Sequence, residues 1–320
     1  MKRLLVVLFL VASFCYSQFS LNAERIGGAM HAGENNLFRV SLINDGKIIH
    51  TIEQKIPFDV PFPASYVDEK RGTIILTNAF DGFVEVYNAN GKKIWKQNFF
   101  KGMGPNYERT ITVALGSSTI AFLTSDVTLP NAKVHQYTVS GTKEWETSLP
   151  YSLGNAIVIS GDGQTIIAGS YVMQDNVLRR SSTLLNSRGV IEGNADILFR
   201  SAAFSDDKAF IALISEREIA VISGKTKKEI SRAGRMSEGI ITDVIWNGDT
   251  LIVQESEVTT SPDHAFNFSD PTFVWYNNNL KEIMHKKIEL PSFKTSALRK
   301  NGSEIELSIN GTAIPVTRLK

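Results

Sequence analysis

Three stretches of the chain hold residues able to do chemistry. In "SPDHAFNFSDP", Asp263, His264 and Asp270 could serve as metal ligands or as an acid–base pair, with Phe266 and Phe268 as an apolar wall. The plainer reading is a solvated loop whose aromatic rings pack onto the structure below. In "FKGMGPNYER", Gly102 and Gly104 look like a fragment of a phosphate-binding loop. No helix follows to supply a dipole, so the glycines serve a turn, and Tyr107 and Arg109 are left as rim residues for a ligand. In "YVMQDNVLRR", Arg179 and Arg180 are placed to meet a carboxylate or phosphate, or else stand solvated. These seven residues are the ligand-binding candidates, and no residue is assigned to catalysis.

Other familiar chemistries find no support. The five histidines, His31, His50, His135, His264 and His285, are dispersed without metal-ligand spacing, so no metal is expected. "SGTK" from Ser140 matches Ser-x-x-Lys, but that chemistry needs the serine at a helix start, and here the four residues form a hairpin turn. Trp95, Trp145, Trp246 and Trp275 fall in strand-like segments and are expected to be core residues rather than a sugar platform.

The first residues, "MKRLLVVLFLVASFCYSQ", read as a secretory signal. Lys2 and Arg3 precede an apolar run from Leu4 to Phe14, and small residues follow near Ser17. Residues 1–17 are therefore expected to be removed, leaving 18–320 in the periplasm or outside the cell. No stretch approaches the roughly 20 apolar residues that span a bilayer. Cys15, the single cysteine, would leave with the signal, which excludes cysteine catalysis and Cys-ligated zinc from the mature chain. Without Lys2 and Arg3 the 34 basic residues become 32, against 33 acidic ones. A balance so near neutral gives no electrostatic reason to expect nucleic acid or an anionic membrane as partner.

The elements that must position the candidates are visible as repeats. "VYNANGKKIWKQ" at 86 and "QYTVSGTKEWET" at 136 share Tyr, Gly and Trp at a shift of fifty residues. Weaker copies begin at Arg39, Ser182, Ala220 and Val274, making six hairpins, each with Gly, Asn, Asp or Ser at its turn. A second hairpin alternates with the first. Its anchors, Ile74, Ile120, Ile166, Phe210, Leu251 and Ile305, lie 41 to 54 residues apart. Four short strands per repeat, with no convincing amphipathic helix, predict an all-β β-propeller. Labelling the strands a to d, the chain starts on a c–d hairpin and ends on an a–b one. Six blades closed by pairing of the N- and C-terminal strands are therefore expected. Seven is the alternative, because "AERIGGAMHAG" and "TAIPVTRLK" are unassigned strand-like segments.

The turns leading into "GKKIW" and "GTKEW" resemble the repeats of quinoprotein-like and WD-repeat-like propellers, a resemblance that extends over nearly the whole mature chain. It implies the propeller fold. The vicinal cysteine pair that many quinoproteins hold beside their cofactor has no counterpart here, so no cofactor is expected. The long connections, from Ile56, Phe100, Ser125, Tyr171 and Glu255, all fall on the b–c and d–a side. Together these features predict a monomeric, non-catalytic binding or scaffolding propeller that recognises a protein, peptide or glycan through that face. The alternative is a propeller enzyme, either a carbohydrate hydrolase or lyase or a quinoprotein-like oxidoreductase.

Overall fold

The computed structural model describes residues 19–28, 31, 33–234, 239–260, 266–301, 304–309 and 312–316. The expected signal segment and the pair Asp263–His264 lie outside them. Strands are the only regular structure among the described residues, and they form seven antiparallel sheets.

The chain divides into two compact units, Met1–Pro105 and Asn106–Lys320. In the first unit, β1 (Phe19–Gly27), β2 (Asn35–Asn44) and β3 (Lys47–Pro57) make a three-stranded sheet. β4 (Ala64–Val67), β5 (Ile74–Asn78), β6 (Phe83–Tyr87) and β7 (Lys93–Asn98) make a four-stranded one. The second unit holds five sheets. The third sheet of the chain is β8 (Thr110–Leu115), β9 (Thr119–Ser125), β10 (Lys133–Thr138) and β11 (Lys143–Ser148). The fourth is β12 (Leu153–Ile159), β13 (Thr165–Gln174), β14 (Val177–Asn186) and β15 (Ile191–Ala195). The fifth is β16 (Ser201–Phe204), β17 (Phe210–Ile214), β18 (Glu218–Ser223) and β19 (Glu229–Gly234). The sixth is β20 (Ile240–Asn247), β21 (Thr250–Thr260), β22 (Phe266–Tyr276) and β23 (Glu282–Lys287). The seventh has three strands, β24 (Ser296–Asn301), β25 (Glu304–Ile309) and β26 (Thr312–Pro315).

All twelve expected hairpins are present, and the differences lie at the two ends. A closing sheet shared by both ends was expected; among the described residues each end instead forms a sheet of its own. Phe19–Gly27 and Thr312–Pro315 each extend an end hairpin to three strands. Because the two end hairpins do not share a sheet, seven sheets stand among the described residues, the number the strand-like ends had left open as the alternative to six. The six c–d hairpins share one geometry. Each ladder slips by a residue just before its turn, as at Val86/Tyr87 and Gln136/Tyr137. Turn side chains complete the geometry: Asn88 Oδ1 accepts N–H bonds from Asn90 and Lys92, both at 3.0 Å, and Asn186 and Asn277 do the same in their sheets. Gly91 sits at φ 68°, where a Cβ would also strike the His50 ring.

Within each unit the cores lie between successive sheets. Side chains alternate across a strand, so Ile166 and Leu185 face the third sheet while Ile167 and Leu184 face the fifth. In the sixth sheet Val253 and Val274 face back to the fifth, and Ile252 and Phe273 face on to the seventh. An inner strand is thus buried on both faces and reads as an unbroken apolar run. Outer strands are different: β7, β11 and β19 alternate between half-buried and exposed residues. Of the four tryptophans expected in the core, Trp246 is fully buried, Trp145 and Trp275 are half-buried and packed against core clusters, and Trp95 is half-buried on an outer strand. Trp145 also ties two sheets together, donating its indole N–H to the Ser187 carbonyl at 2.9 Å.

The repeat also carries a polar acid–base pair beside each of its two strongest copies. Glu85 faces Lys96 across β6 and β7, with Nζ 3.4 Å away, and Lys93 approaches the same carboxylate to 2.7 Å. One repeat later His135 faces Glu146, with Nδ1 3.3 Å from the carboxylate, so acid and base have exchanged strands. Burial pushes the His135 pKa down to about 4, against the pull of Glu146. Burial also works against ionised Glu146, but hydrogen bonds from Lys133 and Lys143 outweigh it and hold its pKa near 2. Between pH 6.5 and 4 the unfolded chain binds a proton at His135 that the folded chain refuses, so stability falls as pH drops through that window. A full titration is worth about 3 kcal/mol. Urea unfolding followed by circular dichroism at successive pH values checks this: His135→Gln should flatten the curve between pH 6.5 and 4, and an unchanged slope would refute the assignment.

Candidate functional site

The sequence candidates are scattered over several sheets. Tyr107 is exposed (66%). Arg109, expected at a ligand rim, is buried, and its Nε and Nη2 both lie 2.9 Å from Asp126 Oδ2. Asp126 Oδ1 accepts bonds from the Thr128 backbone N–H (2.9 Å), the Thr128 hydroxyl (2.6 Å) and Asn106 Nδ2 (3.1 Å). Burial opposes ionisation of Asp126, yet these donors together hold its pKa below the usual carboxylate range. The pair fastens the approach to β8 onto the end of β9. Asp270 lies in β22 at φ 44° and accepts the Leu290 backbone N–H at 3.1 Å, while Phe268 pairs with Phe293 through two backbone bonds of 2.8 Å.

Two segments expected as loops are strands. Tyr171–Arg180 belongs to the β13–β14 hairpin, which turns on Asp175 and Asn176, both at positive φ, and Glu255 onward belongs to the β21–β22 hairpin. The b–c hairpin of the fourth sheet therefore extends as paired strands, with Met173, Val177 and Leu178 exposed near its tip. The corresponding turn of the fifth sheet, Ser215–Arg217, is short.

A long hairpin beside a short turn leaves an open cleft of about 400 Å³ at the b–c end of these two sheets. Arg180 stands at its wall. Its Nη1 lies 2.6 Å from Glu218 and its Nε 3.2 Å from Asp196, and Glu218 also pairs with Arg232 at 2.7 Å. Arg232 in turn pairs with Glu229 at 2.6 Å, and these two carboxylates raise its pKa. The network locks β14 against β18 and β19. Leu178 and Leu198 give the cleft an apolar lining, and Glu216, Arg200 and Arg217 complete the rim. Among the described residues the Arg200 and Arg217 side chains make no hydrogen bond or ion pair, and both are exposed. Arg179 is exposed on the same hairpin. Such an arrangement can hold an anionic group against two guanidinium forks while an apolar group rests on the leucines. Sequence reasoning found Arg180 and missed Arg200, Glu216, Arg217 and Glu218. The available signal was "SERE" from Ser215, an arginine between two glutamates on a tight turn.

A second cavity, about 320 Å³, lies in the first unit beside Glu85. Its polar groups satisfy one another: Glu85 accepts from Gln54 Nε2 (2.9 Å) and the Tyr87 hydroxyl (2.7 Å), and Asn78 donates to Asp81 (2.9 Å). Among the described residues no group of three or more His, Cys, Asp or Glu is placed to hold a metal ion.

Repeated antiparallel sheets, meandering in chain order and packed face to face within each unit, are those of a β-propeller. Neither a family model nor a curated protein matches the sequence. Solved structures do match in fold. BamB from Moraxella catarrhalis aligns with a TM-score of 0.52 and 11% identity, over 88% of this chain and 81% of that one. Sqt1 from Chaetomium thermophilum aligns at 0.54 and 11% over 92% and 91%, and Kuenenia stuttgartiensis hydrazine synthase at 0.51 and 12% over 79% and 75%. The first of these is a quinoprotein-like propeller and the second a WD-repeat protein, the two repeat types that the Gly–Trp turns resemble.

The role of Arg109 can be checked by stability. Breaking a buried ion pair strands a charge, so Arg109→Met should cost roughly 3–5 kcal/mol in urea unfolding. A loss below about 1 kcal/mol would return Arg109 to the list of ligand groups.

Proposed function

We propose that the protein is an exported, non-catalytic recognition propeller that binds a partner through the b–c end of its sheets. The observation that carries the reading is the β13–β14 hairpin, which exposes Met173 (58%), Val177 (59%) and Leu178 (45%) beside a charged cleft. An exposed aliphatic cluster rimmed by charge is characteristic of a protein-contact surface. Aliphatic side chains also suit a protein or peptide better than a glycan, which stacks on aromatic rings. Export is supported by the basic, apolar and small-residue order of residues 1–17.

Two measurements test the reading. A photo-crosslinking residue placed at position 177 in the native cell should give an adduct of defined mass, which one at exposed Gly161 on the a–b turn should not. Equal labelling from both positions, or no adduct from position 177, would overturn the recognition reading. Mass spectrometry of the protein from the periplasmic or culture fraction should find an N-terminus near Gln18; a full-length cytoplasmic product would overturn export.

A further inference from the structure

We propose that Asp243 and Gln254 form a proton-operated latch between the sixth and seventh sheets. Protonated Asp243 donates its carboxyl O–H to the Gln254 side-chain oxygen; ionised Asp243 cannot, and the junction is weaker.

The ladder places the two side by side. Asp243 and Gln254 are partners on β20 and β21, just past a bulge at Thr242, the kind of irregularity that re-aims a side chain. Both face the seventh sheet, because Ile245 and Ile252, two residues away on each strand, pack into the core shared with it. Partners on such a rung have Cβ atoms about 4.5–5.5 Å apart, within reach of a bond between side-chain ends. Each also holds β24 directly. Asp243 Oδ2 accepts the Leu298 backbone N–H at 2.6 Å, and Gln254 Nε2 donates to the Ser296 hydroxyl at 3.0 Å. Gln254 is fully buried, and among the described residues its Oε1 accepts no hydrogen bond. A buried carbonyl oxygen without a donor is costly, and the carboxyl proton of its own ladder partner supplies one.

The surroundings favour that proton. Burial pushes the Asp243 pKa up from its ordinary 3.8, against the backbone N–H groups of Leu298 and Val244 and against Arg200, which lies just before β16. The other faces turned to the carboxyl are uncharged. β21 presents Gln254 and Ser256, while its Glu255, partner of Ile241, points to the fifth sheet. β24 presents Ser296 and Leu298; Arg299 is exposed on its far face, and Lys300 is bound to Asp206 in the fifth sheet. β25 presents Ile305 and Leu307. Between pH 3.8 and the raised folded value, the folded chain keeps a proton that the unfolded chain has released. The latch is fully set below that window and weakens as pH rises through it, the reverse of the dependence at His135.

The test is a pH titration of the mature full-length protein followed by carbon NMR and hydrogen exchange. Asp243 Cγ and Gln254 Cδ should titrate together, with one midpoint above 3.8. Crystals grown below that midpoint should show a carboxyl oxygen of Asp243 about 2.5–3.0 Å from Gln254 Oε1, and crystals grown above it should not. The opening equilibrium reported by the Leu298 N–H should rise with pH, tenfold for each unit separating the folded and unfolded midpoints. Asp243→Asn, whose amide donates at every pH, should abolish that rise while keeping the bond to Leu298. A Gln254 carbon that does not follow Asp243, or an Asp243 midpoint at or below 3.8, would overturn the proposal. So would a Gln254 amide turned to set Nε2 on the carboxylate, or an unchanged pH slope in Asp243→Asn.

Discussion

The fold depends on one packing constraint: the inner strands of a sheet have no face left for water. Ile166 and Ile167 are neighbours in sequence, yet one belongs to the core shared with the third sheet and the other to the core shared with the fifth. A sheet of this kind cannot be stable alone, because burying either residue of such a pair gains about 1.5–3 kcal/mol only when a neighbouring sheet covers it. Stability is therefore shared between adjacent sheets, and each core belongs to two of them. The outer strands escape the constraint, which is why their side chains alternate and why Trp145 can reach sideways to its neighbour's turn.

The candidate site is a by-product of that regularity. Identical b–c connections would leave neighbouring sheets flush at that end. The β13–β14 hairpin runs on beyond the short turn of the fifth sheet, and the step between them is the cleft. Charged groups at the step fall into two classes. Arg180, Glu218, Arg232 and Glu229 neutralise one another and hold sheets together, while Arg200 and Arg217 face outward. The buried Arg109–Asp126 pair belongs with the first class despite its place in a loop that looked suited to a ligand.

Local turn chemistry made the hairpins legible. Asn88, Asn186 and Asn277 each fold their own turn through bonds a few residues away, so they can be read without knowing what lies opposite. At the ends both segments, Phe19–Gly27 and Thr312–Pro315, look strand-like in sequence, and Asn310-Gly311 before Thr312 is a strong hairpin signal, but neither feature says whether the two ends share a sheet. Tyr171–Arg180 misled because its polar residues belong to a hairpin standing clear of the core, where apolar alternation is not required. The fate of each arginine was not legible at all. Arg109 is buried because Asp126, seventeen residues on, is brought beneath it, and Arg200 meets Arg217 at one cleft only after two sheets have stacked.

The exchanged pair, Glu85 with Lys96 and His135 with Glu146, bears on how so repetitive a chain finds its own partners. Copies that share Tyr, Gly and Trp at one spacing risk mismatched pairing while the chain folds. A strand carrying Glu85 that took up the outer strand of the next copy would set two carboxylates opposite each other, and His135 would meet a lysine. The first mismatch is repulsive beside the buried Glu85. The exchanged placement of the two carboxylates thus disfavours one of the wrong pairings open to two copies that share Tyr, Gly and Trp.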